Sequence, residues 1–125
     1  MLQTDRIRRG KQNYLAGMSA EQSVRKTYEA NGYVLAAERW RGGGGELDLV
    51  FQRDSTFVFV EVKKSRTHDL AASRVSQQQI DRIFAAATVF ISDVAKVPFA
   101  DMRFDVALVN GSGVVQILEN ALIAT

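Results

Sequence analysis

The sequence predicts an α+β fold built on one mixed sheet, and three observations carry that prediction. Two runs rich in β-branched and aromatic residues, Leu47 to Gln52 and Thr56 to Lys63, lie on either side of the polar Arg53-Asp54-Ser55, the signature of paired strands around a turn. Downstream, Ile80, Ile83, Phe84, Ala87, Ile91 and Val94 recur at the spacing of one helical face. Two further apolar runs, Arg103 to Val109 and Val114 to Leu118, meet across Asn110-Gly111-Ser112-Gly113, a strong turn composition. With a helix ahead of the first strand, the order becomes helix, three strands, helix, two strands, which packs as a sheet with helices on it.

The elements can be justified in chain order. Ser19-Ala20-Glu21-Gln22 fits a capping box with Ser19 as N-cap and Gln22 three residues on. The helix it opens runs to Asn31, where Gly32 is a natural stop. Tyr33 to Trp40 forms the first strand, although its alanines and Glu38 also suit a helix. Gly42 to Gly45 breaks the chain before the central hairpin. The second helix is expected from Ser73 to about Val94, with Pro98 in the connection after it.

Composition bounds the remaining possibilities. The chain has 125 residues, 46% hydrophobic and 24% charged, the proportions of one ordinary globular domain. Residues 1–17 lack periodicity and read as a basic arm carrying Arg6, Arg8, Arg9 and Lys11, with the domain spanning residues 18–125. There is no cysteine and one histidine, His68, which excludes disulfides, thiolate metal sites and a multi-histidine centre within one chain. No apolar run approaches the roughly 18 residues of a membrane span. The N-terminus has no apolar core of a secretory signal behind its charges. A cytoplasmic protein with no membrane partner is expected. The net charge of +2 favours a polyanionic partner only weakly.

The chemistry concentrates in GELDLVFQRDSTFVFVEVKK, Gly45 to Lys64. Strand side chains alternate, so Glu61 and Lys63 share a face that Val60 and Val62 do not. If the loop between the strands is Asp54-Ser55, or another even-length loop centred there, paired residues have numbers that sum to 109. Asp48 then opposes Glu61, and Glu46 opposes Lys63. Opposed side chains stand roughly 5 Å apart on one face, and like charges there destabilise the sheet. A divalent cation offsets that repulsion. Hard oxygen donors suit Mg²⁺ or Mn²⁺, ions that also pair with phosphates, and such an ion activates bound water. Lys63 could orient or deprotonate that water, or stabilise the charge that develops. The competing reading makes these residues ordinary strand ends with a local salt bridge. An odd-length loop would also separate the acids.

These residues resemble the PD-(D/E)XK nuclease superfamily, whose core is an αβββαβ unit with Asp in its second strand and Glu-x-Lys in its third. More closely, the chain resembles the YraN-like family of predicted endonucleases, itself similar to archaeal Holliday-junction resolvases. The resemblance rests on Glu21, Gly32, Gly45-Glu46-Leu47-Asp48-Leu49-Val50, Phe59-Val60-Glu61-Val62-Lys63 and Arg103-Phe104-Asp105-Val106-Ala107, and spans about residues 15–122. It implies a restriction-endonuclease-like αβββαββ fold, a central mixed sheet flanked by helices. It implies that Asp48, Glu61 and the Val62 carbonyl hold Mg²⁺ or Mn²⁺, that Lys63 serves the attacking water, and that Glu21 is an outer acid of the same site. Taken by itself, Glu21 is equally a first-turn acid favourable to its helix dipole.

Two departures from the family pattern concern substrate detail. A lysine early in the second helix is replaced by Gln79, which faces inward and serves either as a site residue or as a boundary glutamine. Other nucleases of the superfamily carry glutamine there. An Asn before the glycines is replaced by Arg39, while the family's Arg is matched by Arg41. Arg39, Arg41, Lys64 and Arg66 are the candidates for contact with nucleic acid, the alternative being solvated loops. His68 is expected to be a solvated loop residue, and Trp40 and Phe99 core residues. Asp105, on an apolar strand, should be the structural partner of a neighbouring basic group.

The expected function is metal-dependent endonucleolytic hydrolysis of nucleic-acid phosphodiesters, DNA first, with branched or junction forms in view. A homodimer would suit cutting both strands of a symmetric junction. The alternative is a nucleic-acid-binding protein with this fold and little catalysis. A third reading is an assembly protein that keeps the core alone.

Overall fold

The computed structural model describes residues 19–97 and 100–122. The expectations for the arm at residues 1–17, and for Pro98 and Phe99, lie outside them. Residues 19–30 are helical (α1), and five strands follow as β1 (Val34–Gly42), β2 (Gly45–Arg53), β3 (Thr56–Lys64), β4 (Asp101–Val109) and β5 (Val115–Leu118). Between β3 and β4 come α2 (His68–Ala72) and α3 (Gln77–Val89), the latter continuing as a π-helical turn over Phe90–Ala95. The protein is α+β, with the order αβββαββ. The strands lie side by side in chain order as one mixed sheet. All neighbours are antiparallel except β3 and β4. A parallel pair cannot be closed by a tight turn, which is why α2 and α3 are placed between these two strands.

The sheet is covered on both sides. On one face Ala20, Val24 and Tyr28 of α1 pack on Leu49, Phe51, Val58, Val60, Ala107 and Val109. On the other, Ile83, Ala86, Ala87 and Phe90 pack on Leu47, Val50, Phe57, Phe59, Phe104, Val106 and Leu108. β3 sends Phe57 and Phe59 to α3 and Val58 and Val60 to α1, the alternation that its extended backbone demands. Each fully buried aromatic or aliphatic side chain contributes about 1.5–3 kcal/mol, so these two clusters dominate the stability.

Local chemistry explains the element ends. Gly32, at φ +83°, ends α1, with the Gly32 N–H donating to the Glu29 carbonyl and the Tyr33 N–H to that of Tyr28. Asn110 Oδ1 accepts from the Ser112 and Val114 N–H groups and so builds the turn before β5. Gly43 and Gly44, both at positive φ, form the two-residue loop between β1 and β2.

Three expectations need correction. Ser19 is already helical and does not cap α1. The second helix starts at Gln77 and not at Ser73, because the Ser76 hydroxyl takes a backbone N–H there, and a separate short helix, α2, lies ahead of the expected span. Thr67 accepts from Leu70 to start α2, and Ser76 accepts from Gln79 to start α3. The same S-x-x-Q spacing seen at Ser19 therefore operates at Ser76. Val94, expected on the buried stripe, is 50% exposed. The π-helical turn at Phe90–Ala95 has more residues per turn than an α-helix and carries Val94 off that face.

Asp105 is fully buried, yet every bond it needs is present. Arg103 Nε and Nη2 donate to its two carboxylate oxygens at 3.0 and 2.9 Å, Tyr28 Oη donates at 2.6 Å, and the Asn120 N–H donates at 2.8 Å. This is the structural basic partner expected for it. Burial and the bond to Asp105 push the Tyr28 phenol far above its usual pKa.

Candidate functional site

β2 and β3 pair in the expected register, with Leu49 opposite Val60 and Arg53 opposite Thr56, because the loop is Asp54-Ser55. The ladder then ends at Leu49 and Val60. Beyond it β3 stays with β4, Glu61 opposite Val106 and Lys63 opposite Leu108, while β2 stays with β1, Leu47 opposite Trp40 and Glu46 opposite Arg41. The two central strands part, and the candidate side chains line the gap.

Asp48 stands at the parting point. Its Oδ2 accepts the Val62 N–H at 2.9 Å, giving that donor the partner the interrupted ladder does not supply. Alternation along β2 is also interrupted here, since Leu47 joins the α3-side cluster and Leu49 the α1-side cluster. Asp48 can therefore meet groups from both faces of the sheet.

Glu61 and Lys63 follow on the α3 face of β3. Glu61 is only 6% exposed, and its Oε1 lies 3.2 Å from Lys63 Nζ and accepts from Gln79 Nε2 at 2.7 Å. Gln79, the third residue of α3, is placed beside Glu61 by the Ser76 cap. From the opposite face, Glu21 of α1 approaches closely enough to feel the charge of Asp48, and it pairs with Arg39 at 3.1 Å. Arg39 holds a left-handed backbone, φ +49°, which costs energy in a long side chain and is offset in part by that ion pair.

The electrostatics follow from burial. Desolvation raises the Glu61 carboxyl to about 8, the Asp48 charge adds to the rise, and Lys63 opposes it. Desolvation also raises Asp48, against the Val62 N–H and a hydrogen bond with Glu61. Burial and the neighbouring Asp48 charge thus both favour the protonated form of Glu61. Glu21 is raised by burial, with Arg39 pulling the other way. Two close acids with one lysine leave negative charge unmatched once both ionise.

Other candidates take different places. Glu46, expected opposite Lys63, instead faces Arg41 at 3.4 Å, because the β2–β3 ladder has already ended. Arg41 is 80% exposed beside the glycine hairpin. Lys64 ends β3 and Arg66 is exposed in the next loop, where its carbonyl accepts from the Gly111 N–H. Neither forms an ion pair with the two acids. His68 begins α2 with its Nε2 at 2.9 Å from the Val114 carbonyl, so it is anchored and not a free loop residue. Trp40 is a half-buried core side chain set edge-on to Phe90, 5.4 Å between centroids. Arg82 carries no mark in the sequence; it lines the groove beside Gln79, and only tertiary packing reveals that position.

The fold and this geometry define a class: an α+β protein whose sheet splits at its second and third strands around a carboxylate pair, a lysine and a glutamine. The chain belongs to UPF0102, described as an uncharacterised protein family, whose sequence profile matches residues 20–109. It is 52% identical to a UPF0102 protein of Roseobacter denitrificans, covering 94% of this chain and 91% of the relative. It is 47% identical to one of Ruegeria pomeroyi, over 90% and 92% of the two chains, and 44% identical to one of Cereibacter sphaeroides, over 92% and 98%. No helix among the described residues is long and apolar enough to cross a membrane.

Proposed function

We propose that the protein is a metal-dependent nuclease of YraN-like type that hydrolyses DNA phosphodiesters, with branched or junction DNA as its substrate. The observation that carries this reading is the convergence of Asp48, Glu61 and Lys63 where β2 and β3 part. Among the described residues no group of three or more acidic, histidine or cysteine side chains is placed to hold a metal ion. Among those residues two acids alone face the gap, so the donors assigned to the ion are Asp48, Glu61 and the Val62 carbonyl, with water completing the set. A strand residue offers its N–H and C=O to the same neighbour, so the Val62 carbonyl faces the gap into which its N–H points. Few protein oxygens and several waters suit Mg²⁺ or Mn²⁺. When bound, the ion would supply an acidified water and screen charge on the phosphate.

The chain's own residues do the rest. Ionised Asp48 and Glu61 would provide the negative charge that binding requires. Gln79 fixes one Glu61 oxygen, which sets the orientation of the carboxylate. Lys63, 18% exposed and 3.2 Å from Glu61, is positioned to orient the attacking water and to stabilise the phosphorane-like charge that follows. Action on DNA would place the protein in the cytoplasm, and a homodimer would match a symmetric junction.

The test is cleavage of linear and branched DNA with Mn²⁺ or Mg²⁺. Cleavage should disappear with chelator and fall at least about 10²-fold in Asp48→Ala, Glu61→Ala and Lys63→Ala. Undiminished cleavage in all three would sink the reading. A second reading, nucleic-acid binding without catalysis, is favoured by the pairing of Glu21 with Arg39, which leaves two acids at the centre. Salt-dependent DNA affinity with no cleavage under either ion would select it.

A further inference from the structure

An open groove of about 660 Å³ runs between the β1–β2 hairpin and the first turns of α3, ending at Gln79 beside the acid pair. Arg41, Gly44 and Glu46 line one wall, and Gln78 and Arg82 line the other. The walls are held together by glycine. A Cβ on Gly45 would collide with the Arg82 carbonyl oxygen, and one on Gly43 would come within 2.9 Å of that of Ala85. The hairpin lies against α3 because these positions have no side chain, and this fixes Arg41 across from Arg82.

The two arginines are available. Arg82 is exposed and makes no ion pair among the described residues. Arg41 is paired only with exposed Glu46, at 3.4 Å, among those residues. Such a surface pair is worth about 0–1 kcal/mol and yields readily to a phosphate. Among the described residues no aromatic side chain lines the groove, so it offers no platform on which a base could stack. Its donors are guanidinium and amide groups, which suit phosphate oxygens.

We infer that this groove carries the sugar–phosphate backbone leading to the site, gripped by Arg82 and Arg41 without regard to base sequence. The inference rests on the nucleic-acid reading above and adds the path, the new contact residue and the absence of base readout. Arg82 and Arg41 would hold phosphates on one side of the bond to be cut, which lies beyond Gln79.

The experiment is fluorescence anisotropy with the full chain in EDTA, where cleavage cannot intervene. Two labelled DNA duplexes of equal length and unrelated sequence are titrated across a range of salt. Arg82→Ala and Arg41→Ala should each weaken binding of both duplexes equally, by roughly tenfold at low salt, and lower the salt slope by about one. Arg82→Lys should recover part of the loss. Lys26→Ala removes the same charge from an exposed position on α1 and should bind like the parent protein. Matching melting temperatures check folding. Equal affinities of Arg82→Ala and Lys26→Ala would overturn the inference, as would wild-type protein that binds neither duplex. Arginine-dependent binding without Mn²⁺-dependent cleavage would support the groove while removing the nuclease.

Discussion

The Val62 N–H donates to Asp48 Oδ2 at 2.9 Å, so a side chain takes over where the β2–β3 ladder stops. Asp48 thus has a structural duty besides any chemistry, and the two are separable. Asp48→Asn keeps an acceptor for Val62 and removes the charge facing Glu61. It should melt within about 1 kcal/mol of the parent, one hydrogen bond's worth, while metal-dependent cleavage falls at least about 10²-fold. Asp48→Ala should lose both. Thermal melts and single-turnover cleavage rates check the pair.

The acid pair predicts a pH dependence. Burial and the Asp48 charge raise Glu61 to about 8 in the folded protein, above its ordinary value of 4.5. A carboxyl raised on folding binds its proton more tightly in the native state, so its contribution is complete below pH 4.5 and is lost as pH rises through about 8. In EDTA the melting temperature should decline across that window. Glu61→Gln should flatten the decline, and Mn²⁺ should raise the melting temperature more at pH 8 than at pH 5, because ionised acids bind it. Melting curves against pH, with and without ion, provide the measurement.

Gln79 donates to the same Glu61 oxygen that Lys63 approaches. Gln79→Ala should slow cleavage by roughly tenfold, the cost of a misplaced carboxylate, and lower stability by about 1 kcal/mol, the worth of the lost hydrogen bond to buried Glu61. Gln79→Lys supplies a cation beside Glu61 and should retain most activity. Steady-state rates of the two variants test this, and loss of activity in the lysine variant would mean that the amide itself is needed.

Asp105 is fully buried and depends on Arg103, Tyr28 and the Asn120 N–H. Arg103→Met should cost about 3–5 kcal/mol, since it leaves a buried charge without its cation. Tyr28→Phe should cost about 1–3 kcal/mol, because it withdraws a donor from a charged acceptor. Urea denaturation measures both, and neither change should alter the pH dependence assigned to Glu61.

Much of the site was legible because it is local. The even Asp54-Ser55 loop sets the register that brings Asp48 towards Glu61, and period-two alternation alone puts Glu61 and Lys63 on one face. The Ser76-x-x-Gln79 spacing also marks the start of α3, just ahead of the apolar stripe that begins at Ile80. The end of the ladder carries no such mark. It depends on β3 following β4 while β2 follows β1, a competition between strands far apart in the chain.

By itself, the sequence determined the strands, the central hairpin and the face shared by the acid and the lysine, since backbone sterics and short-range alternation suffice for these. Tertiary structure alone decided that Glu46 turns to Arg41, that Arg39 reaches Glu21, and that Arg82 overlooks the groove. The first follows from β2 staying with β1 beyond the end of the β2–β3 ladder. The other two arise when α1 and α3 close on opposite faces of the sheet, packing between distant segments that leaves no periodic trace in the chain.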